Sequence, residues 1–248
     1  MPPSPLSRGE VHTWYLSYSE GQTHPWERCL TWLSSEEQAR CSRFIFEKHR
    51  REHLLTGVLL RAMLSHYTGI HPRDWTFCTN QYGRPEIAAP ALEVPLAFNM
   101  SNTEGMVVGA IANAAEVGID IEDLRRPAAL DAADRFFSPS EVAALRALPT
   151  EMRDSRFFDY WTLKESYIKA RGMGLAIPLD RFSIILDRDP IAIEIDPSLG
   201  DSAESWRFER KDFGGHYAVA IARRAFAGEI DTEMRVKLSD ALTLPFPW

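Results

Sequence analysis

The segment Gly105-Met106-Val107-Val108-Gly109-Ala110-Ile111-Ala112 returns as Gly215-His216-Tyr217-Ala218-Val219-Ala220-Ile221-Ala222, offset by 110 residues. Self-similarity at a fixed spacing is the mark of a duplicated unit and restricts the folds open to a chain. Both copies are mostly apolar with β-branched residues and read as strands. Residues 55–61 line up with 163–169 as helices, and residues 11–17 with 117–123 as strands. Each half also carries a helix-start signal. Ser34-x-x-Glu37 and Ser138-Pro139-Ser140-Glu141 have the form of capping boxes, the second with Pro at the first helical position. Each half thus reads strand, helices, then strands, and the fold class expected is α+β built from two similar halves. The halves are placed at residues 1–115 and 116–230, with a tail at 231–248.

Two stretches read as irregular. Residues 80–96 are rich in Pro, Gly and Ala and suggest a surface loop crossing the molecule. Residues 187–205 hold two turn signals, Asp187-Arg188-Asp189-Pro190 and Asp196-Pro197-Ser198-Leu199-Gly200. The end of the tail, Leu242-Thr243-Leu244-Pro245-Phe246-Pro247-Trp248, is expected not to be helical, and either to dock on the body or to fray.

At 45% hydrophobic residues over 248 positions, the chain can bury a full core. A net charge of −7 argues against a broad nucleic-acid footprint. Arg43, Lys48, Arg50, Arg51 and Arg61 crowd one region and leave room for a local basic patch. Cys29, Cys41 and Cys78 are odd in number and form no Cys-x-x-Cys pair, so they read as buried free thiols of a reducing compartment. The start Met1-Pro2-Pro3-Ser4-Pro5 lacks the charged and apolar regions of a signal peptide. No apolar run of membrane-spanning length occurs. A cytoplasmic protein is expected, without membrane or nucleic-acid partners.

Two segments carry candidate chemistry. Val117-Gly118-Ile119-Asp120-Ile121-Glu122 reads as a strand, and its period of two puts Asp120 and Glu122 on one face. Trp161-Thr162-Leu163-Lys164-Glu165-Ser166-Tyr167-Ile168-Lys169-Ala170 reads as a helix with Glu165 and Lys169 on one face. Three carboxylates that converge would make an oxygen site suited to Mg²⁺, which takes one or two carboxylates plus substrate phosphates. A lysine beside them can touch a phosphate or move a proton. No Walker loop, Gly-x-Gly-x-x-Gly or Gly-x-Ser-x-Gly motif is present, so P-loop, dinucleotide and serine-hydrolase chemistry lose support. The histidines His12, His24, His49, His66, His71 and His216 show no metal-ligand spacing.

Val-Gly-Ile-Asp followed about forty residues on by Trp-x-x-Lys-Glu-Ser-x-x-Lys-Ala resembles the 4′-phosphopantetheinyl transferases of the surfactin-synthetase-activating type. Tyr82-Gly83-Arg84-Pro85, Asn99-Met100-Ser101-Asn102 and Gly172-Met173-Gly174-Leu175 fall in the same order around it. The resemblance implies two like halves related by a pseudo-twofold axis. It implies Mg²⁺- or Mn²⁺-dependent transfer of 4′-phosphopantetheine from coenzyme A to a serine of an acyl or peptidyl carrier protein, releasing 3′,5′-ADP, by a monomer. Fatty-acid, polyketide and nonribosomal-peptide carriers are all open.

The resemblance further implies Asp120, Glu122 and Glu165 as metal ligands, with Glu165 as base, directly or through water, and Lys169 on phosphate or the leaving oxygen. Arg84 would present its guanidinium to the nucleotide, Arg40 and His53 would approach the 3′-phosphate, and Ser101 would reach a phosphate. Asn102 stands where many relatives have His, and either shapes a turn or donates to phosphate. Lys164 is either a phosphate contact or an exposed helix lysine. Trp14, Tyr15, Trp26, Trp32 and Trp75 are expected in the core, and Trp161 against the helix at the join. A metal-dependent nuclease would use similar acids but wants a basic groove, and a non-catalytic carrier-binding module would not need all three acids.

Overall fold

The computed structural model of the protein describes residues 6–19, 25–113, 115–229 and 234–244. Its elements run β1 (Glu10–Ser17), α1 (Ser35–Cys41), α2 (Glu47–Thr68), β2 (Thr76–Thr79), β3 (Pro85–Ala89), β4 (Leu96–Thr103), β5 (Met106–Asn113), β6 (Val117–Asp123), α3 (Leu130–Phe136), α4 (Pro139–Ala147), α5 (Thr150–Arg171), β7 (Phe182–Ile185), β8 (Ala192–Ile195), β9 (Trp206–Phe213), β10 (Tyr217–Arg224) and β11 (Arg235–Asp240). Two sheets carry the fold, one in the order β11-β1-β5-β4 and one in the order β6-β10-β9.

The side-chain period of two decides how the layers stack. Trp14, Leu16, Phe98, Val107 and Ile111 form one face of the first sheet and pack with Leu55, Val58, Leu59 and Met63 of α2. Ala218, Ala220 and Ala222 of the second sheet pack with Leu163, Tyr167, Ile168 and Ala170 of α5. The two remaining faces meet each other: Val11, Val108, Ala110 and Ala112 join Ile119, Ile121, Val219 and Ile221 in one cluster. The result is helix, sheet, sheet, helix, an α+β fold. Strands β5 and β10 are buried on both faces. That is why they share the unbroken apolar sequence that exposes the repeat.

Both capping boxes form as their spacing requires: Ser34 with Glu37 opens α1, and Ser138 with Glu141 opens α4. Each box glutamate also takes a buried cation from the following long helix. Arg61 of α2, 2% exposed, donates to Glu37 Oε2 at 2.8 Å. Lys164 of α5, 1% exposed, donates to Glu141 Oε2 at 2.6 Å. Both long helices span 22 residues and end on a left-handed glycine, Gly69 (φ 74°) and Gly172 (φ 66°). These markers set the helical repeat at an offset of 103 or 104 residues, so Arg61 answers to Lys164 and the pairing of 55–61 with 163–169 is five residues out. Helices lack the strict parity of strands, so apolar matching alone leaves their register loose.

Three segments differ from the sequence reading. Residues 80–96 include β3, which pairs with β2 as a hairpin, and residues 187–205 include β8, which pairs with β7. The tail supplies β11, which runs parallel to β1 from Glu10↔Arg235 to Tyr15↔Asp240, and Ala241–Thr243 form a 3₁₀ turn. Residues 245–248 and the side chains of His24 and Trp26 lie outside the described residues. Trp14, Trp32 and Trp75 are buried, as are Cys29 and Cys41. Cys78 is free but exposed on the hairpin rather than buried.

β6 lies against α5 at very short range. A Cβ on Gly118 would stand 2.0 Å from the Ser166 carbonyl oxygen and 2.5 Å from the Ala170 nitrogen. Overpacking of this kind costs about 1–3 kcal/mol or more. Gly118→Ala is therefore expected to lower the denaturation midpoint clearly, and an unchanged midpoint would contradict this close approach.

Candidate active site

The face of β6 covered by α5 presents Asp120 and Glu122, while Ile119 and Ile121 turn to the opposite, inter-sheet core. β4 comes alongside: Asn99 Oδ1 accepts the Ile119 N–H at 2.9 Å, which ties the first sheet to the second one residue before Asp120. Ser101, on the same strand as Asn99, is buried and donates its hydroxyl to Asp120 Oδ1 at 3.0 Å. Lys169 of α5 completes the cluster. Its Nζ reaches Asp120 Oδ1 at 2.6 Å, Ser101 Oγ at 2.9 Å and the Ile119 carbonyl at 3.3 Å.

Asp120 is 5% exposed, and its second oxygen, Oδ2, is buried without a hydrogen-bond partner. Leaving such an atom unmet is costly, so it marks a place for a donor or a cation. Glu122 accepts from the Trp161 indole at 3.1 Å through Oε1 and pairs with Arg126 through Oε2. Burial, and next the charge of Asp120, push the Glu122 carboxyl up to about 7. Burial and Asp120 also raise Glu165, against the pull of Lys169. The charge of Asp120 thus opposes the ionisation of both glutamates, a strain that a bound cation relieves.

Among the described residues no group of three His, Cys, Asp or Glu side chains is placed to hold a metal ion as it stands. Glu122 is instead turned onto Trp161 and Arg126. The donor set still fits a hard divalent cation, on the strength of the unmet Asp120 oxygen and the two raised glutamates beside it.

The structure brings Asp120, Ser101 and Lys169 into direct contact, with Glu165 within electrostatic reach of Asp120 and Lys169. The other candidate positions differ. Arg84 does not present its guanidinium outward; it turns inward onto the carbonyls of Ala170, Phe98 and Val117. Lys164 is neither exposed nor a phosphate contact: it is buried against Glu141 and the Phe182 carbonyl. Arg61 likewise leaves the expected basic patch for the buried pair with Glu37. Arg40 is exposed at the end of α1. His53 is half-buried beside Phe44; burial, then the charge of Arg40, lower its pKa. Asn102 is exposed on β4 opposite Val107.

Sequence reasoning placed Trp161 as packing at the join and missed its role as donor to Glu122. The signal was there: Trp161 lies four residues before Glu165, hence on the same helix face. Arg126 gave no comparable signal, because its contact with Glu122 is made across a turn.

The sequence model described as the 4′-phosphopantetheinyl transferase superfamily matches residues 116–222, and that described as the 4′-phosphopantetheinyl transferase N-terminal region matches residues 19–114. The 4′-phosphopantetheinyl transferase HetI of Nostoc sp. is 36% identical over 195 residues, covering 78% of this chain and 81% of its own. The 4′-phosphopantetheinyl transferase Sfp of Bacillus subtilis is 36% identical over 174 residues, covering 69% of this chain and 75% of its own. The solved holo-[acyl-carrier-protein] synthase of Thermotoga maritima aligns over 44% of this chain and 62% of its own at a TM-score of 0.37 and 18% identity, too loose a likeness to bear on function.

Proposed function

Because the chain belongs to the 4′-phosphopantetheinyl transferase family, and so moves phosphopantetheine from coenzyme A to a carrier-protein serine, we propose that it is a transferase of the surfactin-synthetase-activating type. We place its chemistry at Asp120, Glu122, Glu165 and Lys169, with a divalent metal and release of 3′,5′-ADP. The observation that carries this reading is the contact of Lys169 Nζ with Asp120 Oδ1 at 2.6 Å beside an Asp120 oxygen that nothing satisfies.

Asp120, Glu122 and Glu165 would hold Mg²⁺ or Mn²⁺. When bound, the ion supplies charge stabilisation at the pyrophosphate oxygens. The chain's own groups do the rest. Glu165, its pKa raised by burial and by Asp120, takes the proton of the carrier serine, whose oxygen forms the new bond to the β-phosphorus. The bond from that phosphorus to the oxygen of 3′,5′-ADP breaks. Lys169, held by Asp120 and Ser101, stands where it can neutralise the leaving oxygen. Trp161 fixes one Glu122 oxygen and leaves the other, now on Arg126, free to be exchanged for the cation. Arg40 and His53 are the candidates for the 3′-phosphate, and Asn102 for a further phosphate contact. No helix among the described residues is long and apolar enough to cross a membrane, and we place the enzyme in the cytoplasm as a monomer.

Incubation with coenzyme A, Mg²⁺ and a panel of apo carrier domains should put phosphopantetheine on the carrier serine and release 3′,5′-ADP in equal amount. Cleavage of coenzyme A without carrier modification would defeat the proposal. A pH effect is also expected. A protonated Glu122 is a poor ligand, so with its carboxyl near 7 the affinity for Mg²⁺ falls below that pH and levels off above it. Calorimetric titration at pH 6 and pH 8 checks this; Glu122→Gln should bind the metal more weakly and shrink the difference, leaving only what the raised Glu165 contributes.

A further inference from the structure

The Arg84 guanidinium reaches three elements at the edge of the candidate site. Nη1 donates to the Ala170 carbonyl of α5 at 2.7 Å, and Nη2 to the Phe98 carbonyl of β4 at 3.3 Å and the Val117 carbonyl of β6 at 3.4 Å. Each of those carbonyls sits near a working residue. Ala170 follows Lys169, Phe98 precedes the Asn99 that bonds β6, and Val117 begins the strand that carries Asp120. The hairpin that carries Arg84 is itself fastened to the same helix end. Asn80 Nδ2 donates to the Gly172 carbonyl at 2.8 Å, while Asn80 Oδ1 takes the N–H groups of Tyr82 and Arg84 at 2.9 and 3.0 Å.

The last carbonyls of a helix have no partner within it and carry its negative end. Gly172 N–H meets those of Ile168 and Lys169. The Ala170 carbonyl is met by a cation, Arg84, and the fork of that guanidinium is spent on protein carbonyls. Space is tight as well: a Cβ on Gly172 would stand 2.7 Å from Arg84 Cδ.

We infer that Arg84 is a positioning residue: it caps α5 and locks that helix to β4 and β6, and so sets Lys169 against Asp120 and Ser101 instead of binding coenzyme A. The inference rests on the transferase reading for its kinetic arm only. Removing the guanidinium frees the last turn of α5, and with it the Lys169 Nζ that must stay within hydrogen-bond reach of Asp120. Misplacement on that scale lowers turnover while leaving ligand affinity nearly intact.

The test compares wild-type protein with Arg84→Lys and Arg84→Ala in three measurements: kcat and KM with coenzyme A and a carrier domain, calorimetric Kd for coenzyme A, and amide hydrogen exchange of the free protein. Arg84→Lys keeps the charge and loses the fork, and it serves if Arg84→Ala does not fold. The expected result is a fall in kcat of about ten- to a hundredfold, with KM and Kd for coenzyme A within about threefold of wild type. Amides at the end of α5 should exchange faster while those of α2 do not change. A Kd weakened tenfold or more with kcat retained would make Arg84 a phosphate contact and overturn the inference. So would faster exchange at α5 with kcat unchanged, or no change in any measurement. The exchange data need no turnover, so failure of the transferase reading would show separately, as a wild type that does not modify carrier.

Discussion

Asp120→Ala is expected to slow carrier modification by about 10² to 10⁴, the loss seen when a major electrostatic contributor is removed. Three effects converge on this side chain. It is the carboxylate that Lys169 contacts, at 2.6 Å, so its removal leaves the ammonium without its main partner. It accepts the Ser101 hydroxyl and so fixes the β4 side of the cluster. Its Oδ2 is buried and unmet, which makes it the oxygen best prepared for a cation. Asp120→Asn separates charge from shape: an amide can keep the Ser101 contact but cannot pair with the lysine or hold the metal well. Both variants should therefore be impaired, with metal affinity lowered in each. Transfer at the wild-type rate by Asp120→Ala would remove this residue from the site.

Lys164→Met is expected to cost about 3–5 kcal/mol of stability, because breaking a buried ion pair from one side strands the other charge. Lys164 and Glu141 are each 1% exposed in their side chains. Glu141 accepts from the ammonium at 2.6 Å, from Ile184 N–H at 2.7 Å and from Ser138 N–H at 2.8 Å. It thereby joins the start of α4 to β7 and α5. Burial pulls the Lys164 pKa down, and Glu141 opposes that pull. A lysine left without its glutamate would shed its proton or draw in water. Adding Glu141→Gln to Lys164→Met should recover part of the loss, since the amide no longer buries an unpaired charge and can still accept from the backbone. Urea unfolding measures both. Equal midpoints for wild type and Lys164→Met would show that the pair contributes nothing. The folded fraction of Lys164→Met should keep a KM for coenzyme A near wild type, which a phosphate-binding lysine would not.

The parts of the fold that could be read in the sequence were those fixed by short-range rules. The strand repeat at 105–112 and 215–222 stands out because β5 and β10 are buried on both faces. The capping boxes at Ser34 and Ser138 form because their chemistry is local. Alternation along β6 placed Asp120 and Glu122 on one face, and helical spacing did the same for Glu165 and Lys169 on α5. What stayed hidden depends on long-range contacts. Nothing local marks Arg84 as a cap for α5 rather than a phosphate ligand, since its partners lie 14, 33 and 86 residues away. Lys164 shares a helix with Lys169, yet one meets a buried glutamate and the other the site; the difference is which face of α5 each occupies. The pairing of β11 with β1 joins the two ends of the described chain, and only parallel register reveals it.

The central claim is that the acids and lysine at the join of the two sheets transfer phosphopantetheine with the help of a divalent cation. Intact mass of an apo carrier domain after incubation with the enzyme and coenzyme A tests it most directly, with Mg²⁺ present and then after chelation. The account predicts a gain of one phosphopantetheinyl group per carrier with Mg²⁺, none after chelation, and recovery when Mg²⁺ is restored. Full modification in the presence of chelator, at a rate equal to that with Mg²⁺, would contradict it.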